Sequence, residues 1–298
     1  MEHDTLSAQW AGGVRDGYPA GVPCWIDTTQ PDPQAAAEFY RGLLGWKLED
    51  MMPPNSPGQY FVAQLHGRDV AAISSMPGGN STRAKWNTYV WVDNTDETAQ
   101  RVEQAGGRVL AAPFDVPGAG RMAECADPSG AGFRIWQARE HRGAQLVNAP
   151  GSWNWSNLNT PDAEGAMRFY TAVFGWEFSE VDFGAGASWM VRMPGYADFL
   201  EVRNPGIRDR HTAAGAPPGF TDAVGWLQPI PSDAETYWSV TLSVADADLV
   251  AARTAELGGS VVSGPVDVPY SRVVQITDPQ GASVTLSQFK MPDYLVDY

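Results

Sequence analysis

Three side chains in the first half of the chain set charge among aromatics. They are Asp27 in Pro23-Cys24-Trp25-Ile26-Asp27-Thr28-Thr29-Gln30, Tyr89 in Asn87-Thr88-Tyr89-Val90-Trp91, and Arg134 in Gly132-Phe133-Arg134-Ile135-Trp136. Each segment reads as a strand, and strand side chains alternate faces. Trp25, Asp27 and Thr29 therefore share one face, with Cys24, Ile26 and Thr28 packed beneath a helix. The same parity adds Asn87, Tyr89 and Trp91 from a middle strand and Arg134 and Trp136 from a closing strand, with Glu124 adjacent. A carboxylate between tryptophans is partly desolvated, which raises its pKa and suits it to proton exchange near neutrality. Arg134 either opposes that shift or holds a substrate phenolate or carbonyl as a fixed donor. Tyr89 serves as a weak acid or a hydrogen-bonding wall. The candidate catalytic set is Asp27, Arg134, Tyr89 and Glu124, and Trp25, Asn87, Trp91 and Trp136 form a binding wall. Against this stands a plainer reading, in which Asp27 and Arg134 are a buried ion pair closing the sheet and Glu124 is a solvated strand residue.

The elements that must position these groups occur twice. Trp25, Asp32, Phe39-Tyr40 and Gly45-Trp46 return 130 residues later as Trp155, Asp162, Phe169-Tyr170 and Gly175-Trp176, which marks an internal repeat. In each copy an Asp caps a helix whose apolar positions recur at helical spacing and whose last turn stops at Gly. Trp86 to Val92 matches Trp238 to Val244, and Asp127-Pro128-Ser129-Gly130 matches Asp278-Pro279-Gln280-Gly281. The plan is a βαβββ unit twice per module. It divides the chain into an arm at 1–20 with little chemistry expected, a first module at 21–138, a linker at 139–151, a second module at 152–290 and a tail at 291–298. Residues 77–81 read as a loop. From Trp46 to Trp86 is 40 residues, and from Trp176 to Trp238 is 62, so the second module carries about 22 extra residues within 204–231. Such a segment is either a binding loop or a tolerated insertion. The second module's strands offer Trp155 and Asn157 as substrate-binding residues, beside Ser239, Thr241, Ser243 and Thr285. This set has no charge, so the first module is the expected seat of chemistry. Trp46 and Trp176 read as core, Arg121 and Arg272 as structural, and His66 as a solvated turn residue.

Composition narrows the function. A net charge of -15 over 298 residues argues against a nucleic-acid partner, which needs clustered Lys and Arg. No apolar run approaches the ~20 residues of a membrane span, and Met1-Glu2-His3-Asp4 lacks the basic start of a signal peptide. The expected compartment is the cytoplasm. Cys24 and Cys125 have no CxxC spacing and read as buried thiols. Twelve tryptophans, several in strands beside polar residues, suit an aromatic small molecule. Monomer and homodimer are both compatible with a fused repeat.

The strand, the Asp-initiated helix with Phe-Tyr and Leu-Gly-aromatic, and the late Asp-Pro-x-Gly turn resemble the vicinal oxygen chelate superfamily of glyoxalases, bleomycin-resistance proteins and extradiol dioxygenases. The resemblance covers about residues 21 to 289 and is strongest to two-module actinobacterial members described as hydroxylases. It implies an α+β fold of tandem modules, each a curved mixed sheet of eight strands around a cleft with helices outside. It also implies metal ligands seven residues before the helix-starting Asp and seven after the Asp of Asp-Pro-x-Gly. Those positions hold Trp25, Trp155, Arg134 and Thr285 here, and neither indole nor guanidinium offers a lone pair to a metal. None of His3, His66, His141 and His211 stands at such a position. No metal and no cofactor is expected, and no Gly-rich dinucleotide fingerprint is present. The reading is a metal-independent dehydratase, cyclase or isomerase acting on an aromatic polyketide-like molecule. A binding protein for such a molecule is the alternative, and a hydroxylase the third.

Overall fold

A computed structural model of the chain describes residues 13–76, 84–182 and 187–290. The loop at 77–81, the tail at 291–298, His3 and most of the arm lie outside these residues. The first module runs β2 (Pro23–Gln30), α1 (Pro33–Leu44), β3 (Lys47–Asp50), β4 (Tyr60–Leu65), β5 (Arg68–Ser75), β6 (Lys85–Trp91), α2 (Thr95–Gln104), β7 (Arg108–Val116), β8 (Gly120–Ala126) and β9 (Gly132–Ala138). The second runs β11 (Trp153–Thr160), α3 (Ala163–Phe174), β12 (Glu177–Asp182), β13 (Ala187–Arg192), β14 (Ala223–Pro229), β15 (Tyr237–Ser243), α6 (Ala247–Glu256), β16 (Ser260–Val268), β17 (Ser271–Thr277) and β18 (Ser283–Phe289). Between β13 and β14 the insertion folds into α4 (Tyr196–Arg203), α5 (Ile207–Ala213) and a short 3-10 turn at Phe220–Asp222.

Local chemistry sets the helix bounds. Asp32 and Asp162 accept from the amides of Ala35 and Gly165, and Gly45 and Gly175 end α1 and α3 at φ of 72° and 75°. Only a residue without Cβ takes that left-handed turn cheaply. The sheets share one order, β3-β4-β5-β2-β6-β9-β8-β7 and β12-β13-β14-β11-β15-β18-β17-β16. Both are mixed, since β2–β5 and β6–β9 pair in parallel while β2–β6 pair antiparallel.

The two modules are clasped through each other. Tyr40 and Gln30 of the first donate to Asp278 of the second, while Tyr170 of the second donates to Asp127 of the first. Trp46 and Trp176, each 1% exposed, donate their indole N–H groups to the carbonyls of Gly151 and Gly21. Both tryptophans are core, as the sequence indicates. Arg121 binds Asp96 and Asp115, and Arg272 binds Asp248 and Asp267 in the same arrangement. His66 lies at the β4–β5 turn with φ of 52° and its side chain exposed.

The arm departs from expectation. Residues Gly13–Val14 form a strand, β1, that pairs with β10 (Leu146–Val147) in the linker, and β10 pairs with β11. The second sheet therefore gains two strands, and the arm is fixed through β10 to the start of β11, a central strand of that sheet.

Candidate functional site

In the first module the structure brings together the groups that strand parity selects. Arg134 Nη1 donates to Oδ1 and Oδ2 of Asp27 at 2.9 and 2.8 Å, and Arg134 Nη2 pairs with Glu124 Oε1 at 2.9 Å. Asn87 and the Tyr89 hydroxyl also donate to Asp27. A carboxylate offers about four acceptor sites, and here they are used within the protein. Asp27 is fully buried, and Tyr89 and Asn87 are nearly so. Burial pushes the Tyr89 hydroxyl well above its ordinary pKa. Burial works against the Arg134 charge, yet Asp27, Tyr89 and Glu124 hold its pKa above the usual guanidinium value. Trp25 and Trp136 close the face, with the His141 ring edge-on to both. Trp25 donates to the Tyr60 hydroxyl and Trp136 to the His141 carbonyl. Trp91 is half-buried at the margin, near Tyr18.

The open space is in the second module, whereas the sequence directs attention to the first. A cavity of about 910 Å³ lies against its sheet, and none of Asp27, Tyr89, Glu124 or Arg134 lines it. Side-chain size explains the difference. In the first sheet Tyr89 stands beside Arg134 and Trp91 beside Trp136; at the same register in the second, Thr241 stands beside Thr285 and Ser243 beside Ser287. Four large side chains that fill one concave face are four small hydroxyl residues on the other.

The cavity's walls come from three sources. From the sheet come Trp155, Asn157, Trp226 and Gln228. The insertion supplies His211, Phe220 and Thr221 to the cavity wall. Trp155, Phe220 and His211 form a continuous run, with ring centroids 6.0 and 5.0 Å apart, and His211 Nδ1 lies 2.9 Å from Thr221 Oγ1. The arm, where little chemistry is expected, supplies Arg15 and Tyr18 to the wall. Of the expected binding residues, Trp155 and Asn157 are on this cavity. Trp25, Asn87 and Trp136 belong to the packed face of the first module. Arg15, His211 and Trp226 escape sequence reasoning because they sit in an unpatterned arm, an insertion and a strand reached only through that insertion.

Among the described residues the lining contains no Asp, Glu, Cys or Lys. Three of its members keep a buried polar atom without a hydrogen-bond partner: Nε of Arg15, Nε1 of Trp153 and Oδ1 of Asn157. Buried polar groups are ordinarily paired, so two donors and one acceptor on this wall stand open to a ligand or to water.

The family resemblance implies a divalent metal, and the residues present do not fit one. The recurring ligand positions hold Trp25 and Arg134 in one module and Trp155 and Thr285 in the other. Among the described residues no group of three or more His, Cys, Asp or Glu side chains is arranged to hold an ion. Guanidinium at the Arg134 position would repel a cation instead of binding it.

Residues 25–135 and 152–286 each match the family described as the glyoxalase/bleomycin resistance protein/dioxygenase superfamily. CFP32 of Mycobacterium tuberculosis (strain CDC 1551 / Oshkosh), which carries the name of a glyoxylase, is 36% identical over 271 residues, covering 90% of this chain and 95% of its own. The anthracycline biosynthesis protein DauV of Streptomyces sp. (strain C5) is 34% identical over 286 residues, covering 92% and 95%. Among solved structures, the Mn(II)-bound glyoxalase from Novosphingobium aromaticivorans aligns with a TM-score of 0.57 at 16% identity, over 93% of this chain and 83% of that one. At that identity the likeness speaks for the fold alone.

Proposed function

The chain belongs to the glyoxalase/bleomycin resistance protein/dioxygenase superfamily, and within it we propose a metal-independent tailoring enzyme that rearranges an oxygenated, fused-ring aromatic small molecule by proton transfer. The observation that carries this reading is the second-module cavity, which combines aromatic walls, small hydroxyl residues on its floor and three unpaired polar atoms. A volume of about 910 Å³ accommodates a polycyclic ligand, and flat rings stack on indole and phenyl walls. The names of DauV and of DnrV from Streptomyces peucetius, 34% and 33% identical, support a place in the tailoring of aromatic polyketides.

His211 is the proposed proton carrier. Among the described residues it is the one imidazole on the cavity wall, and its Nδ1 lies 2.9 Å from Thr221 Oγ1. A neutral imidazole can take a proton from a carbon next to a carbonyl and return it to another carbon of the skeleton (isomerisation), deliver it to a β-hydroxyl that departs as water when the C–O bond breaks (dehydration), or give it to the alkoxide formed when the carbanion adds to a second carbonyl (cyclisation), each with no net redox change. Asp27, Arg134, Tyr89 and Glu124 are proposed as the ion-paired core that holds the first sheet rigid.

The test is incubation with aromatic polyketide intermediates at catalytic protein concentration, followed by mass spectrometry. A product of equal mass or of mass less water, formed about 100-fold more slowly by His211→Gln, is expected from the usual worth of a general base. Full activity in His211→Gln would remove it from the mechanism. An unchanged compound that stays bound to the protein would make the chain a binding protein.

A further inference from the structure

Arg15 is a buried cation on the wall of the second-module cavity, and no carboxylate among the described residues pairs with it. It is 7% exposed, its Nε is buried without a partner, and among the described residues its side chain has neither a hydrogen bond nor an ion pair. The arm holds it in place: the Arg15 amide donates to the Gln145 carbonyl at 2.9 Å, next to the β1–β10 pair. Gly13 makes the room, because a Cβ there would meet Arg15 Nη1 at 2.0 Å. Among the described residues no carboxylate lines the cavity. Arg15 also lines a separate surface depression together with Asp16 and Glu140; Asp16 is occupied by Arg203 at 2.9 Å, and among the described residues Glu140 forms no ion pair. An arginine cannot shed its charge on burial, so such a position stays costly until an anion meets it.

We infer that Arg15 is the anion-recognition residue of this cavity, and that its ligand is an aromatic molecule bearing an anionic oxygen group, a carboxylate or an ionised phenol. The inference rests on the proposed reading of the cavity as an aromatic-ligand site and names the group that orients the ligand there. The guanidinium enters from the arm side, while Trp155, Phe220 and His211 lie on the sheet and the insertion. An anion on Arg15 therefore anchors one end of the ring system and leaves the remainder against the aromatic run. The protein's net charge of -15 disfavours anions in general, so selection for one here must be local.

The test uses three planar probes, anthraquinone-2-carboxylate, anthraquinone-2-carboxamide and 1,2-dihydroxyanthraquinone, titrated against tryptophan fluorescence of the full chain. Wild type should bind the carboxylate about ten-fold or more tighter than the carboxamide, the usual worth of a charge-assisted hydrogen bond. Arg15→Gln should erase that preference while binding the carboxamide as before, which also shows that the cavity is intact. Arg15→Lys should retain part of it. The dihydroxy probe separates the two anion types: tightening of its binding through the phenol's ionisation, dependent on Arg15, would assign a phenolate. Equal binding of carboxylate and carboxamide by wild type, or an undiminished preference in Arg15→Gln, would overturn the assignment of Arg15 alone. Failure of every probe, the uncharged one included, would overturn the reading of the cavity and this assignment with it.

Discussion

Asp27 shows how residue types that signal chemistry in a sequence can be bound chiefly to one another in a structure. Its carboxylate sits between tryptophans, as strand alternation requires, but it meets Arg134, Tyr89 and Asn87 and not a substrate space. The partners themselves were legible, because register and parity bring positions 27, 87, 89 and 134 to one patch. Whether that patch is open was not, since openness depends on Trp25, Trp136 and His141 closing over it from three separate segments. Asp27→Asn removes the charge that compensates a buried guanidinium, a kind of loss that typically costs about 3 to 5 kcal/mol. Here Glu124 stays on Nη2 of Arg134, so the low end is expected, about 3 kcal/mol in denaturant unfolding. Affinity for a planar probe at the second module should be unchanged at temperatures where the variant is folded.

At the scale of elements, the paired strands β6–β9 and β15–β18 are the same scaffold carrying opposite contents. Their alignment could be read from the repeat, and Thr241, Ser243 and Thr285 stood in the sequence as plain hydroxyl residues. What had to be seen in three dimensions is that four neighbouring reductions in volume add up to one cavity, and that an insertion and an arm roof it. The size argument predicts its own reversal. Ser287→Trp restores on β18 the side chain that Trp136 places on β9, at a position on the cavity wall. The variant should keep its circular dichroism spectrum and thermal midpoint within a few degrees while losing planar-probe binding at least ten-fold, as expected for filling existing space with a well-tolerated apolar ring. Unchanged binding in Ser287→Trp would place the ligand elsewhere.

At the scale of the molecule, the reciprocal bonds of Tyr40 to Asp278 and Tyr170 to Asp127 tie each module to the other, which predicts that the two unfold together, an arrangement the repeat alone does not disclose. Tyr170→Phe strips a donor from Asp127 and an acceptor from the Trp238 indole, all of them buried. Each orphaned group costs about 1 to 3 kcal/mol. Hydrogen exchange should show the most protected amides of both modules losing the same protection, in contrast to a loss confined to the second. No helix among the described residues is long and apolar enough to cross a membrane. The contrast between a solid first sheet and a hollow second one also bears on how such a protein can change. The filled copy is a keystone whose residues are constrained by one another. The hollow copy, with its arm and inserted helices, can trade side chains against solvent and ligand with few neighbours to satisfy. Sequence drift in ligand choice should therefore collect around residues 13–18 and 196–229, and libraries built there should yield new specificities from a chain that still folds.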